Sequence, residues 1–251
     1  MGTSVMTQYL QSIIAHLQRL YDEEAGNIKK AARMVADHIK EDKIVYVYGP
    51  GGHSNLASQE LFFRAGGLMH VSAMLDEGTL LSSGALRSMA MERTPGYGKI
   101  VMDDYGLAQG DLLIIVNAYG INAAAIDAAL EAKRRGVKTI GVTSVRHASS
   151  TPENHPARHP TKKNLYELVD IVLDSKVEVG DAVVSIEGMD QRVAAISTFA
   201  NAYLLNSVVA ETVDLLVREG IEPPVWMSGN APGGDEANAR FIQRFKGRIK
   251  M

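Results

Sequence analysis

The apolar positions of this chain follow two rhythms. Short runs rich in β-branched and aromatic residues, Ile44 to Tyr48 and Asp111 to Val116, suit strands buried on both faces. Leu68 to Met74, Val137 to Val142 and Val169 to Leu173 read as three more. Elsewhere the spacing is helical. Ala57, Leu61 and Ala65 recur at every fourth position, and Ile126, Ala129 and Leu130 share a face. Tyr9, Ile13, Leu17 and Leu20, then Ile28, Ala31, Val35 and Ile39, make residues 4–41 helical, with Gly26 marking a break. A long apolar helix covers 197–218. Strand, loop, helix and strand in that order predict right-handed βαβ units and a parallel sheet of about five strands.

The connections are abrupt. Gly49-Pro50-Gly51-Gly52 ends the first strand, and Ser54 is placed to cap the helix that Gly66-Gly67 stops. Asn117 to Asn122 makes a second strand-to-helix loop, with Gly136 ending its helix. Each loop aims backbone N–H groups and a helix N-terminus at the carboxyl ends of the strands, where ligands of open parallel sheets bind. Neither loop is a Walker A or a clean G-x-G-x-x-G sequence, and a plain tight turn is the alternative reading. Residues 76–98 form an excursion holding a short helix from Gly84 to Arg93, stopped by Thr94-Pro95-Gly96. Residues 143–164 read as a loop, and 177–191 carries no decisive period.

Composition narrows the field. The 251 residues suit one large domain or two small ones, and 46% apolar content supports a sizeable core. A net charge of −3 gives no global field for nucleic acid or an anionic membrane. The absence of cysteine removes disulfides, thiolate metal sites and a cysteine nucleophile, and fits a reducing, cytoplasmic setting. Gln8, Gln11, His16 and Arg19 argue against a signal peptide, and Asn201, Asn206, Glu211 and Asp214 against a membrane span in the long helix.

Among chemical candidates, His53 and Ser54 border the first loop. Glu60 lies six residues beyond Ser54, about 9 Å along a helix axis. Arg64 stands four residues further on, so a surface ion pair is the plainer reading of Glu60. Glu77, at another strand end, is an alternative base. His147, His155 and His159 lack metal-ligand spacing and read as parts of a polar loop, so no metal is expected. His70 reads as a satisfied core residue. Trp226 reads as an anchor of the tail on a partner subunit, and Arg240, Arg244, Lys246, Arg248 and Lys250 as a solvated helix face, not a nucleic-acid surface.

With these residues in view, the span from Ile44 to Ala210 resembles the sugar isomerase (SIS) domain of phosphosugar isomerases and phosphosugar-binding regulators. The resemblance rests on Gly51-Gly52-His53-Ser54, on Asp111 to Val116 leading into Tyr119-Gly120-Ile121-Asn122, and on Gly136 to Ser144. Arg64-Ala65-Gly66-Gly67, Gly84 to Ser88, Glu92-Arg93 and Pro232 to Glu236 point to a SIS family related to phosphoheptose isomerase. It implies a three-layer α/β/α fold: a helical arm over 1–42, the SIS domain over 43–220, and a tail over 221–251 on the domain or a partner subunit. It also implies a homodimer, a phosphorylated sugar as ligand and no cofactor. Gly51, Gly52, Ser54, Asn117, Tyr119, Asn122, Ser144, Ser197 and Thr198 become the ligand contacts, with Glu60 as general base and His53 as acid. The usual Ser/Thr phosphate loop is replaced here by Asn117, Tyr119 and Asn122. The expected function is aldose–ketose isomerisation of a sugar phosphate. A non-catalytic sugar-phosphate sensor and an amino-sugar-phosphate lyase or etherase are the alternatives.

Overall fold

The computed structural model describes residues 4–251, so the first three residues of the expected arm lie outside the described residues. The five core strands are β1 (Val45–Tyr48), β2 (Val71–Ala73), β3 (Leu112–Val116), β4 (Lys138–Thr143) and β5 (Ile171–Asp174). They form one parallel sheet in the order β2-β1-β3-β4-β5. Val45 pairs with Val71 on one side and Leu112 on the other, so the chain reverses its winding between β1 and β3. That switch point opens a crevice at the strand ends.

Alternate residues of the strands feed two cores, which makes the three-layer α/β/α arrangement. Leu112, Ile114 and Val116 face α1 (Val5–Lys40), α2 (Gly52–Leu61) and α7 (Ser197–Arg218). Leu113 and Ile115 face α4 (Tyr97–Asp104) and α5 (Ala123–Arg135). Between these lie α3 (Ala85–Glu92), α6 (Val145–Ser150) and a β6–β7 hairpin (Ala182–Val184, Val193–Ala195), with α8 (Gly234–Phe245) near the C-terminus.

Several local expectations are corrected. Gly26 does not break α1, which runs as one helix of 36 residues. A glycine inside a helix costs about 1 kcal/mol, and packing against α7 and the sheet through Leu20, Ile28, Ala32, Val35 and Ala36 outweighs it. Gly66-Gly67 does not stop α2, which ends at Leu61. Two further helices, α4 and α6, occupy stretches read as connections.

Trp226 is buried in this chain's own fold. Its N–H donates to Gly67 O at 2.9 Å, and its ring packs on Phe63 at 4.7 Å between centroids. Met69, Phe245 and Ile249 complete that cluster. The basic positions beside it are partly neutralised: Arg244 and Arg248 bond the carboxylate of Asp42 at 2.6 and 3.0 Å. His70 is fully buried with Nε2 2.9 Å from Asp42, but its Nδ1 has no partner, so it is only half satisfied.

Candidate functional site

The two loops meet in the crevice above β1 and β3. Gly49 is needed because a Cβ there would fall 2.0 Å from Ser54 O. Gly51 has φ +91° and caps α2, and the first helical bond runs from Asn55 N–H to Gly51 O at 2.9 Å. Ser54 is therefore not the cap; it is a buried residue inside the first turn. The amides of Gly52, His53 and Ser54 precede any helical acceptor. Asn55 holds the loop in place, its Nδ2 donating to Gly51 O at 3.0 Å and to Thr79 O at 2.8 Å.

In the second loop Asn117 Oδ1 accepts from Gly120 N–H at 2.7 Å, closing a turn with Gly120 at φ +62°. Asn122 sits at the N-cap position of α5 without making a side-chain cap bond, and donates instead to Ala157 O at 3.4 Å. Tyr119 stacks on His147 with centroids 3.9 Å apart. Burial raises the Tyr119 phenol above its ordinary range and lowers the His147 imidazole.

Six of the expected contacts, Gly51, Gly52, Ser54, Asn117, Tyr119 and Asn122, share one pocket of about 120 Å³ with His53, the expected acid. Glu92, Ala118 and Asp181 complete its lining. A second pocket of about 150 Å³ holds His53, Leu56, Glu60, Thr198 and Asn201. His53 belongs to both. A larger groove of about 500 Å³ lies between α1 and α7, but none of the loop residues lines it.

Two expected contacts lie elsewhere. Ser197 is fully buried, and its Oγ donates to Asp181 Oδ2 at 2.6 Å while Asp181 Oδ1 accepts the N–H groups of Ile196 and Ser197. Asp181 thus caps α7. Ser144 is equally buried; its Oγ caps α6 through His147 N–H and donates to Val177 O at 2.6 Å. Glu60 is one-third exposed, 3.5 Å from Arg64 and 3.4 Å from Asn206 Nδ2. Glu77 is exposed and lines neither pocket. The three loop histidines go to separate partners: Tyr119 for His147, Ala157 N–H for His155, and Asp127 for His159.

Three polar residues of the site were not picked out as candidates in the sequence: Asp181, whose oxygens cap α7, Glu92 and Asn201. Glu92 ends α3 and reaches back to the first loop, so that a Cβ on Gly51 would fall 1.7 Å from its Oε2. Burial raises its carboxyl from the ordinary range to about 7, with the charge of Arg93 opposing this. Asn201 is 1% exposed, and neither of its side-chain amide atoms has a partner. The signal for Asn201 was a polar residue on the apolar face of α7; for Glu92 it was the pair Glu92-Arg93 in the family resemblance, which gave it no role.

The sequence pattern of the SIS domain matches residues 8–144. A UPF0309 protein of Geobacillus kaustophilus is 37% identical over 98% of this chain and 96% of its own length. A UPF0309 protein of Brucella canis is 36% identical over 98% of each. The chain is thus a SIS-domain protein and belongs to the UPF0309 family. Phosphoheptose isomerase from Francisella tularensis has the same fold at TM-score 0.52, with 17% identity over 86% of this chain and 100% of that one. The Vibrio vulnificus NanR protein, solved in complex with ManNAc-6P, matches at TM-score 0.51 with 14% identity, over 100% of this chain and 72% of its own. Among the described residues no helix is long and apolar enough to cross a membrane.

Proposed function

We propose that this chain binds a phosphorylated sugar between its two loops and interconverts its aldose and ketose forms. The observation that carries the reading is that His53 is shared by a pocket built from both loops and by a second pocket holding Glu60. The free amides of Gly52, His53 and Ser54 suit the phosphate oxygens. The sugar then extends over His53 towards Glu60. There a carboxylate removes a proton from the carbon beside the carbonyl and returns it to the neighbouring carbon. No redox cofactor is needed for this rearrangement. The outward face of α1, with Val5, Met6, Leu10 and Ile14 exposed, is the surface proposed for homodimerisation.

Thermal shift against terminal phosphate esters of sugars, each paired with its free sugar, tests binding. A ligand at a hundred times its dissociation constant adds about 2.7 kcal/mol. A response to one ester and not to its parent supports the phosphate role of the loops. A response to free sugars alone assigns Asn117, Tyr119 and Asn122 to a site without phosphate. Glu60→Gln is expected to abolish turnover of the responding compound, and full activity would remove Glu60 as base. Tight binding without turnover would make the protein a sensor.

A further inference from the structure

The loop pocket offers a helix start to an anion, yet among the described residues no lysine or arginine lines it. Its charged side chains are His53 and two carboxylic acids, Glu92 and Asp181. Asp181 is committed: Oδ1 accepts the N–H groups of Ile196 and Ser197, and Oδ2 accepts the Ser197 hydroxyl. Glu92 has no hydrogen-bond or ion-pair partner among the described residues. It stands against the anion cradle itself. A Cβ on Gly51 would fall 1.7 Å from Glu92 Oε2, so that oxygen touches the backbone leading into the free amides of Gly52, His53 and Ser54. Ser88 fixes α3 there, its Oγ donating to Thr79 O at 2.7 Å.

A phosphate on those amides therefore meets Glu92 at close range, in a pocket of about 120 Å³. A carboxylate and a phosphate dianion in that space repel strongly, because protein screens them less than water does. A neutral carboxylic acid is a different neighbour: its O–H donates, and the terminal phosphate oxygens accept. We propose that Glu92 is a ligand-binding residue that acts as a neutral acid: its carboxyl takes a proton from solvent as the phosphate ester binds and donates it in a hydrogen bond to a phosphate oxygen. The proposal rests on the phosphate reading of the loops above and is independent of the base assigned to Glu60. The phosphate keeps both negative charges on the amides, the proton comes from water or buffer, and no covalent bond of the sugar changes. The group selected is one that only accepts hydrogen bonds. An ammonium group in its place would hold Glu92 charged, and binding would release a proton instead.

The groups around Glu92 fit this role. Burial already raises its carboxyl to about 7, and Arg93, next along the chain, opposes that. His53 faces it from α2, Tyr119 from the second loop and Asp181 from the segment before α7. From β1 comes Tyr48, whose phenol is held well above its ordinary range by burial first and then by Asp76, Tyr97, Asp127 and Glu92. Burial raises the Tyr119 phenol too, so both phenols stay neutral where Glu92 titrates. Without ligand, Glu92 loses its proton above about 7; beside a phosphate it keeps that proton to higher pH. A group that binds its proton more tightly in the complex makes binding weaken as pH rises, here above about 7.

The test is calorimetric titration of the whole protein with inorganic phosphate and with the terminal phosphate esters of an aldohexose, an aldopentose, a ketoheptose and an N-acetylated amino sugar. At about pH 8 a phosphate monoester, with its second pKa of about 6, is already a dianion. Titration there in two buffers of different ionisation enthalpy counts the protons taken up. For a probe that binds the wild type, uptake of about one proton is expected, with affinity falling about tenfold per pH unit above that point. Glu92→Gln keeps a neutral donor, so it should take up no proton there and hold its affinity as pH rises. Glu92→Ala has no donor; it should show the same flat profile but bind roughly tenfold more weakly than Glu92→Gln. The same uptake in Glu92→Gln, uptake lost only in His53→Gln, or proton release by the wild type would overturn the role of Glu92 and leave the phosphate reading standing. Binding of none of the probes would remove the phosphate reading of the loops and this role with it.

Discussion

Asn201 offers the sharpest separation of function from stability. It lies on the buried face of α7 and lines the pocket that holds Glu60, yet both its Oδ1 and Nδ2 lack partners. A buried amide left unpaired costs about 1–3 kcal/mol. Leucine has a similar branched shape and no polar atom, and the adjoining pocket of about 150 Å³ takes up its extra volume. Asn201→Leu is therefore expected to stabilise the protein by about 1–2 kcal/mol. For a chain of this size that raises the melting temperature by about 2–8 °C. The same change should abolish the thermal response to whichever sugar phosphate stabilises the wild type, because the amide is then the partner of a sugar hydroxyl. Scanning calorimetry with and without that compound reads both effects in one experiment. A lower melting temperature with the ligand response intact would refute the reasoning, since it would mean that Asn201 holds a structural water and not a ligand.

Three further outcomes follow from the geometry. Burial keeps the His70 imidazole down at about 4 against an ordinary 6.5, so the unfolded chain binds its proton more readily and stability is lost as pH falls from 6.5 towards 4. The full loss is on the order of 3 kcal/mol; His70→Phe should flatten the melting temperature over that window, and a slope equal to that of the wild type would count against it. Gly51→Ala should cost roughly 1–3 kcal/mol from its positive φ alone and displace the Glu92 carboxyl; a melting temperature equal to that of the wild type would refute the close approach of the two residues. Asp181→Ala removes the acceptor of two N–H groups and the Ser197 hydroxyl, and denaturant unfolding should show a loss of about 2 kcal/mol or more.

How far the sequence could be read depended on whether the determinant was local. β1 and β3 were legible because strands buried on both faces must be continuously apolar. The loops were legible because only glycine tolerates the approach seen at Gly49. The start of α2 was not, since a glycine at positive φ supplies the cap that Ser54 was expected to supply. Gly26 misled because its local cost is about 1 kcal/mol, less than the packing of a 36-residue helix on α7 and the sheet recovers. Ser144 and Ser197 have the right chemistry for a ligand, but both hydroxyls are spent on helix starts.

Glu92 shows why part of the loop pocket escaped the sequence. Nothing in Ala90-Met91-Glu92-Arg93 marks a desolvated carboxyl; Glu92-Arg93 entered only as part of the family resemblance. Its environment is made by Asn55, which bonds the carbonyls of Gly51 and Thr79 and so ties the first loop to the excursion. Ser88, in the first turn of that excursion's helix, bonds the same Thr79 carbonyl at 2.7 Å and fixes α3 over the loop. The position of Glu92 is thus a property of three segments joined through one carbonyl, and no window of the sequence contains all of them. Its neighbour across the pocket, Asp181, arrives from beyond β5, and α7 begins at its oxygens. Of the two carboxyls, Asp181 is committed to the start of α7, and Glu92 has no hydrogen-bond partner among the described residues.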